Sequence, residues 1–397
     1  MSIRNNYKHT IAASYIGYIT QAIVNNFAPL LFLTFHNAYN ISLDKIGLLV
    51  TINFGTQLIV DLISAKFADK IGYRVLAVIA HIFAAVGLIA LGLLPDLFSN
   101  HYIGICIAVV LYAVGGGLAE VIISPIVEAC PTDSKSAAMS LLHSFYCWGS
   151  VLVVLISTAL FSVLGMNSWK LVACLWAIIP IFNALYFTQV PISNLVENGE
   201  GMTITQLLKT KIFWILALLM VCAGASELAM SQWASAFAES GLKVSKTVGD
   251  LAGPCFFAIL MGSSRVFHAK IADKVNLTKY LSICALICIF SYILSSLSPI
   301  AILSLLGCGI CGFSVGAMWP GTYSLASEKC PKGSTAMFAL LALAGDTGCS
   351  LGPATVGFVS SSLNDNLKTG LLSAVMFPVI LLIGLLFSKR IIKERPN

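Results

Sequence analysis

Charged side chains are scarce in this chain of 397 residues: only 10% are Asp, Glu, Lys or Arg, whereas 58% are hydrophobic. A soluble domain carries about 25% charged residues. Polar side chains therefore cannot cover a water-exposed surface, which excludes a soluble globular protein and indicates that lipid is the main solvent. No cleavable signal peptide is evident, because a polar, mildly basic start leads into an apolar stretch long enough for a transmembrane helix.

Sequence signatures of enzymes and pumps are also missing. The chain has no Gly-x-x-x-x-Gly-Lys-Ser/Thr phosphate loop, no His-Glu-x-x-His, no Gly-x-Ser-x-Gly and no helix of repeated arginines. The twelve cysteines are scattered through apolar segments without His or carboxylates at metal-ligand spacing, so we interpret them as small packing residues. We predict a protein that is not an enzyme and has no cofactor or metal site.

Apolar segments long enough to cross about 30 Å of hydrocarbon recur along the whole chain. Six precede and six follow the longest polar interval. This pattern predicts an all-α integral membrane protein with an amino-terminal half 1–189, a cytoplasmic connector 190–210 and a carboxy-terminal half 211–397. The twelve predicted transmembrane helices are 10–36, 46–66, 73–94, 101–127, 136–164, 169–189, 211–238, 248–269, 277–297, 299–327, 334–362 and 368–388.

The distribution of Lys and Arg predicts the orientation in the membrane. If the amino terminus is cytoplasmic, seventeen of the 23 basic residues lie inside, five lie outside and Arg265 lies within a span. Because cytoplasmic loops are enriched in Lys and Arg, we predict a multi-pass plasma (inner) membrane protein with both termini cytoplasmic. This topology accounts for the net charge of +6 without nucleic acid. We expect a monomer in the lipid bilayer.

A short repeat relates the two halves. The segment 65–70, Ala-Lys-Phe-Ala-Asp-Lys, returns as 269–274, Ala-Lys-Ile-Ala-Asp-Lys, about half the chain later. Glu-Ala-Cys-Pro at 128–131 similarly returns as Glu-Lys-Cys-Pro at 328–331. This spacing is typical of a membrane protein built from two pseudo-symmetric six-helix bundles, and such bundles usually enclose a transport path.

The segment 65–74, Ala-Lys-Phe-Ala-Asp-Lys-Ile-Gly-Tyr-Arg, resembles the loop between helices 2 and 3 of the major facilitator superfamily. The family pattern is roughly G-x-x-x-D-R/K-x-G-R/K-R/K. The resemblance implies the major facilitator fold and secondary transport by alternating access. It also implies a gating role for Asp69, Gly72 and Arg74, in which the glycine permits a tight turn and the Asp caps a helix or pairs with a nearby cation. The second copy retains Asp273 but lacks the Gly and Arg.

Helices 4, 5 and 7 resemble the fucose–galactose–glucose proton symporter branch of that superfamily. This branch has a Gly-rich fourth helix with a Glu five residues before a Pro, a fifth helix with an L-H/Q-x-x-F-x-x-G core, and a Gly-Ala-Glu…Trp pattern in helix 7. The matching segments here are GGGLAE at 115–120 before Pro125, SLLHSFYCWG at 140–149, and GASE at 224–227 before Trp233. The resemblance implies uptake of a small polar solute, a sugar, with a proton bound at Glu120.

A carboxylate within a span costs about 2.5–3.5 kcal/mol on insertion scales, so Glu120 requires a cavity, a partner or a proton. The symporters of the branch carry an Asp in the middle of helix 1, where this chain has Asn25 and Asn26. Amides bind hydroxyls but do not titrate. Coupling to H⁺ or Na⁺ through Glu120 alone, through Glu227 or Asp346, and no coupling are therefore alternatives, and Glu120 as a structural carboxylate is another.

Polar and aromatic side chains within the predicted spans are the candidates for binding a small-molecule substrate. Amides and acids would bind hydroxyl groups, and an aromatic ring would pack against the C–H face of a pyranose. The alternative is that these residues are structurally satisfied or act as packing and interfacial residues. The candidates are Asn25, Asn26, His143, Tyr146, Glu227, Gln232, Trp233 and Trp319.

Two further features predict gating. Asp61 and Arg265 match under the 204-residue offset, which predicts either an interdomain salt bridge or two independent structural charges. In helix 11, Asp346 begins a run of small residues that ends in Gly352-Pro353, where helices can approach closely and bend. Exporters of the superfamily carry a Gly-Pro motif in helix 5, so a drug or metabolite exporter is the alternative function. A transporter-like receptor or a lipid scramblase is the alternative of another class.

Overall fold

The computed structural model is almost entirely helical, and the residues that it describes contain no strand. It describes the backbone of 3–131, 135–192, 202, 204–271, 275–330 and 334–393. Within these ranges, the side chains of 65–70, 128, 135–140, 269–270, 327, 334–336, 338–339 and 388–393 are not described. Of the predicted gating residues, Asp273 and the side chain of Asp69 therefore lie outside the described residues.

All six predicted helices of the amino-terminal half are observed. We label them α1 to α6, and α1 and α6 are each interrupted. The first, α1, consists of Tyr7–Asn26, a 3-10 turn Ala28–Leu31 and Phe32–Tyr39. The others are α2 (Leu43–Ile71), α3 (Tyr73–Leu97), α4 (His101–Ala129), α5 (Lys135–Leu164) and α6 (Trp169–Trp176 and Ile178–Gln189).

The carboxy-terminal half also contains its six predicted helices, α7 to α12. They are α7 (Lys211–Ala236, extended by a π-helical turn Phe237–Gly241), α8 (Lys246–Asp250, a π-helical turn Leu251–Cys255 and Phe256–Ile271), α9 (Leu277–Leu297), α10 (Ala301–Gly316 and Met318–Lys329), α11 (Ser334–Ser362) and α12 (Leu367–Ser373 and Met376–Lys393). The connector contains a short helix, Ile204–Leu208. Over the described ranges, ten of the twelve are long and apolar enough to cross a membrane, and α8 and α11 are the other two.

Proline explains where the long helices are interrupted. The breaks in α1, α6, α10 and α12 lie two to four residues before Pro29, Pro180, Pro320 and Pro378, and the π-helical turn of α8 contains Pro254. A proline has no backbone N–H, and its ring clashes with the carbonyl four residues earlier, so the helix deforms at that point. The break in α1 directly follows Asn26, which places the two predicted binding amides at the end of its first segment.

The described chain forms two compact units that repeat one packing scheme. The first unit comprises 1–41 and 52–197, and the second comprises 42–51 and 198–397, so the first turns of α2 group with the second unit. In the first unit, α1 packs against α4, α5 and α6, while α3 packs against α4 and α6. In the second unit, α7 packs against α10, α11 and α12, while α9 packs against α10 and α12. The helix pairings repeat in the order that the sequence repeat predicts.

The three consecutive glycines of α4 bring it close to two neighbours in the first unit. A Cβ at Gly115 would lie 2.5 Å from the backbone nitrogen of Ala84 on α3. A Cβ at Gly116 would lie 3.3 Å from the side-chain amide carbon of Gln57 on α2, and one at Gly117 would lie 2.9 Å from the Cα of that residue. Small residues permit such close helix packing, and the packing positions the segment that carries Glu120.

Candidate substrate and coupling sites

A polar face on α1 is the centre of the candidate site in the first unit. Tyr18, Gln21 and Asn25 are spaced three and four residues apart, so their side chains leave one side of the helix. Gln21 Nε2 donates to Glu120 Oε2 at 2.7 Å, and the Tyr18 hydroxyl lies 2.8 Å from Ser124 Oγ. Glu120 and Ser124 are one turn apart on α4. Two turns of α1 and one turn of α4 therefore align an acid, two amides and two hydroxyls.

The partner of Glu120 is a neutral group. Within the described part of the chain, the acid forms no ion pair, and the Gln21 amide is its hydrogen-bond partner. Gln21 is only 5% exposed, whereas the Glu120 side chain is partly exposed. Because an amide offers both N–H donors and a carbonyl acceptor, Gln21 can bond to Glu120 in either protonation state. A Lys or Arg in its place would favour only the ionised acid.

The two predicted binding amides of α1 have different surroundings. Asn25 is 4% exposed, and its Oδ1 accepts from Asn53 Nδ2 at 3.0 Å and from Gln57 Nε2 at 2.9 Å. It thus joins α1 to α2. Asn26 is partly exposed, and its Nδ2 donates to Ala22 O at 2.9 Å and to Ser150 Oγ at 3.1 Å. Of the two, Asn26 is the more accessible to a solute.

The predicted binding residues His143 and Tyr146 lie on α5, and each side chain is at least partly exposed. His143 is exposed, and its ring meets Tyr18 edge to face at a centroid distance of 5.3 Å. Tyr146 is partly exposed, and its carbonyl accepts from Ser150 Oγ at 3.0 Å. His143 therefore places an imidazole beside Tyr18 on the polar face of α1, and Tyr146 lies one turn further along α5.

In the second unit, the matching helix pair carries charges instead of amides. Arg265 Nη2 on α8 lies 3.6 Å from Glu227 Oε2 on α7, and the side chains are 22% and 10% exposed. In the first unit, Asn25 and Gln57 join α1 to α2 through neutral amides, and Asp61 on α2 is the residue that matches Arg265 under the 204-residue offset. The hypothesis of a salt bridge between Asp61 and Arg265 stays a prediction. Asp61 lies half-buried on α2.

The contact between α7 and α11 depends on glycine. A Cβ at Gly348 would overlap the Val221 carbonyl oxygen, and one at Gly352 would overlap that of Ala225. Pro353 lies inside a helix that continues to Ser362, so the Gly352-Pro353 pair does not end α11. The small-residue run thus brings the helices together as expected, while its gating role stays a prediction.

The predicted aromatic and polar residues of the second unit are largely interior. Trp233 is fully buried, and its indole N–H donates to Pro353 O at 3.0 Å. Stacking of this ring on a substrate requires a different conformation from the one described, in which it packs between α7 and α11. Gln232 and Asp346 are also buried. Trp319 is partly exposed and packs against Gly345.

The described partners of Arg74 are backbone carbonyls of α6, whereas the expected latch pairs Arg74 with Asp69. Arg74 Nη1 donates to Phe187 O at 2.9 Å and to Thr188 O at 3.1 Å, so it caps the carboxy-terminal end of α6. Gly72 has a φ of +92°, a conformation that L side chains rarely adopt, so the turn between α2 and α3 requires glycine. The contacts of Arg74 are thus those of a helix cap, and its pairing with Asp69 stays a prediction.

Several members of the polar network were not predicted. None of them is charged, and neither a lone charge within a span nor a branch motif indicates a binding role for them; they are Tyr18, Gln21, Asn53, Gln57 and Ser124. The spacing of three and four residues between Tyr18, Gln21 and Asn25 on an apolar helix was a usable signal. A polar stripe of this kind requires partners from neighbouring membrane helices.

Two bundles of membrane helices that repeat one packing scheme, with a carboxylate inside each, define the class of secondary transporters. The model of the Major Facilitator Superfamily matches residues 13–353, so the chain belongs to that superfamily. It is a multi-pass membrane transporter and not an enzyme.

Solved structures share this fold over nearly the full length. An inward-facing, unoccupied bacterial homologue of the human lysosomal transporter Spinster has a TM-score of 0.82 at 17% identity, covering 99% of each chain. The nucleoside transporter NupG has a TM-score of 0.76 at 14% identity, and the match covers 96% of this chain and 99% of NupG. The E. coli fucose:proton symporter FucP has a TM-score of 0.64 at 16% identity, and the match covers 95% of this chain and 98% of FucP. A search of curated proteins found no match. Identities this low show the fold alone, so the branch resemblance stays a prediction.

Proposed function

We propose that the protein imports a small polar solute, a monosaccharide, together with a proton that binds Glu120. The hydrogen bond from Gln21 to Glu120 carries the proposal. An acid in a membrane span that has no described cation beside it is costly when ionised. Binding a proton removes that cost, and the Gln21 amide can bond to both forms of the acid. These properties suit a group that gains and loses a proton in each transport cycle.

The side chains around the acid favour a solute rich in hydroxyl groups. Amide, imidazole and phenol groups on α1 and α5 offer hydrogen-bond donors and acceptors, and aromatic rings offer a surface for a sugar C–H face. The accessible members are Asn26, His143 and Tyr146. The solved relatives are a fucose:proton symporter, a nucleoside transporter and a Spinster homologue. The choice of a sugar therefore rests on these side chains and on the branch motifs.

Uptake into proteoliposomes tests the coupling. Wild-type protein should accumulate a labelled monosaccharide when the outside is acidic, and a Na⁺ gradient should have no such effect. Glu120→Gln should still exchange labelled for unlabelled sugar but should not accumulate it, because its amide cannot carry a proton. Glu328→Gln, a change at an exposed acid paired with Lys329, is the matched control and should behave as wild type.

Three outcomes would contradict the proposal. Equal accumulation with and without the pH gradient, together with normal accumulation by Glu120→Gln, would exclude coupling through this residue. Outward movement of cationic dyes without sugar uptake would favour an exporter. Ligand binding or lipid movement without solute flux would favour a receptor or a scramblase.

A further inference from the structure

The partly exposed acid Glu120 is in direct contact with an amide that donates to it. Gln21 Nε2 lies 2.7 Å from Glu120 Oε2, which is short for an N–H···O hydrogen bond. No ion fits between two atoms at this distance. For a metal cation to approach Oε2, the amide would have to turn over and give up its bond. A proton needs only a lone pair on the other carboxylate oxygen, so it can bind while Gln21 keeps its bond.

Oxygen ligands for a metal cation are few around this contact. Na⁺ is a hard cation and needs several oxygen ligands, as Ca²⁺ and Mg²⁺ do. One turn from Gln21 on α1, Asn25 Oδ1 already accepts two hydrogen bonds from side chains of α2. One turn from Glu120 on α4, Ser124 Oγ is hydrogen-bonded to the Tyr18 hydroxyl. The nearby oxygens are thus engaged within the protein.

Other titratable groups lie on the helices packed around α4, and none of them is hydrogen-bonded to Glu120 in the described chain. They are Tyr18 on α1, Asp61 on α2, His81 on α3 and His143 on α5. His81 is fully buried, and its ring nitrogens contact Ala77 O and the Asn183 amide. Because Gln21 is the described partner of Glu120, a change at Gln21 acts on the acid directly.

We propose that Gln21 selects the coupling ion: its N–H excludes Na⁺ from Glu120 and leaves a proton as the ion that the acid takes up. Coupling through Glu120 rests on the proposed function, whereas exclusion of Na⁺ rests on the hydrogen bond itself. A carboxylate at position 21 would remove the donor and add two acceptor oxygens. Two carboxylates in contact repel each other, and a cation between them relieves the repulsion. A change from amide to acid should therefore admit Na⁺.

Thermal unfolding in detergent, without any solute, tests the selection. Wild type, Gln21→Glu and the shorter Gln21→Asp are titrated with NaCl against choline chloride at constant ionic strength and alkaline pH. NaCl at about five times its Kd should raise the Tm of the two acid variants by roughly 2–4 °C, and it should leave wild type unchanged. Gln189→Glu adds an acid at an exposed glutamine that contacts Arg4, and this matched control should not respond to Na⁺.

Uptake into proteoliposomes extends the test to coupling. An inward Na⁺ gradient at equal pH should increase accumulation of the labelled monosaccharide several-fold in Gln21→Glu and should have no effect in wild type. The exchanged pair, Gln21→Glu with Glu120→Gln, again places one acid against one amide. It should ignore Na⁺ in both assays and recover the proton-driven accumulation that Glu120→Gln alone lacks, a result that a misfolded protein cannot produce.

The outcomes distinguish this inference from the proposed function. A Na⁺ shift as large in wild type as in the acid variants would overturn selection by Gln21, and so would no shift in acid variants that unfold cooperatively in choline chloride. A Na⁺ response of the exchanged pair equal to that of Gln21→Glu would overturn exclusion by the amide. A Na⁺ shift confined to the two acid variants, without monosaccharide uptake by any protein, would support the selection and overturn the choice of solute.

Discussion

The close contact between α7 and α11 makes Gly348→Ala a sharp test of the structure. A Cβ at this position would overlap the Val221 carbonyl oxygen and would lie 2.7 Å from the Val221 carbonyl carbon and 2.9 Å from the Ala225 nitrogen. All three are backbone atoms of α7, so no change of rotamer relieves the clash. Overpacking of this kind costs about 1–3 kcal/mol, while replacing a helical Gly by Ala gains about 0.5–1 kcal/mol. We expect a net loss of about 1–2 kcal/mol.

Gly55→Ala is the matched control. Gly55 also lies inside a membrane helix, α2, but a Cβ there would meet nothing within 4 Å. Because only the gain in helix propensity applies, this variant should be more stable by about 0.5–1 kcal/mol.

Thermal unfolding in detergent measures the difference. A unit of about 200 residues changes its Tm by roughly 2–4 °C per kcal/mol. Gly348→Ala should therefore lower the Tm by about 2–8 °C, and Gly55→Ala should raise it by about 1–4 °C. A Tm for Gly348→Ala that equals or exceeds that of Gly55→Ala would show that α7 and α11 separate without cost, and it would refute the close contact.

Two further predictions concern residues whose contacts differ from expectation. Trp233→Phe removes the donor to Pro353 O and should cost about 1–3 kcal/mol with little change in substrate KM. A large rise in KM at unchanged Tm would instead support substrate stacking. Arg74→Gln removes the cap on Phe187 O and Thr188 O and should cost about 0.5–1 kcal/mol in the same unfolding assay, with Arg74→Lys retaining part of the stability. Slower transport at unchanged stability would favour the predicted gating latch.

The helix pattern was predictable because a lipid solvent demands it. Each span must satisfy its own backbone hydrogen bonds and expose apolar side chains, so hydropathy alone located all twelve helices. Hydropathy did not predict where the helices are interrupted. A hydropathy window averages over proline and does not register that a single N–H is missing, so α1, α6, α10 and α12 were predicted as continuous. The prolines at these breaks are visible in the sequence, but Pro95, Pro125 and Pro353 lie inside uninterrupted helices, so a proline alone does not locate a break.

The candidate site was only partly predictable, because partners on different helices are set by packing. Glu120 stood out as an acid within a span, but nothing in the local sequence indicated that Gln21, 99 residues away, donates to it. Trp233 followed a branch motif, yet the approach of α11 buries its ring and supplies Pro353 O as its acceptor.

By itself, the sequence determined the membrane environment, the twelve helices and the two related bundles of the major facilitator fold. These follow from composition, hydropathy and a repeat, which are local or periodic properties of the chain. Only the tertiary structure decided which polar groups meet. It paired Glu120 with a neutral amide and placed Glu227 beside Arg265. The reason is geometric: a side chain in a membrane helix can reach several neighbours, and the close approaches allowed by glycine select among them.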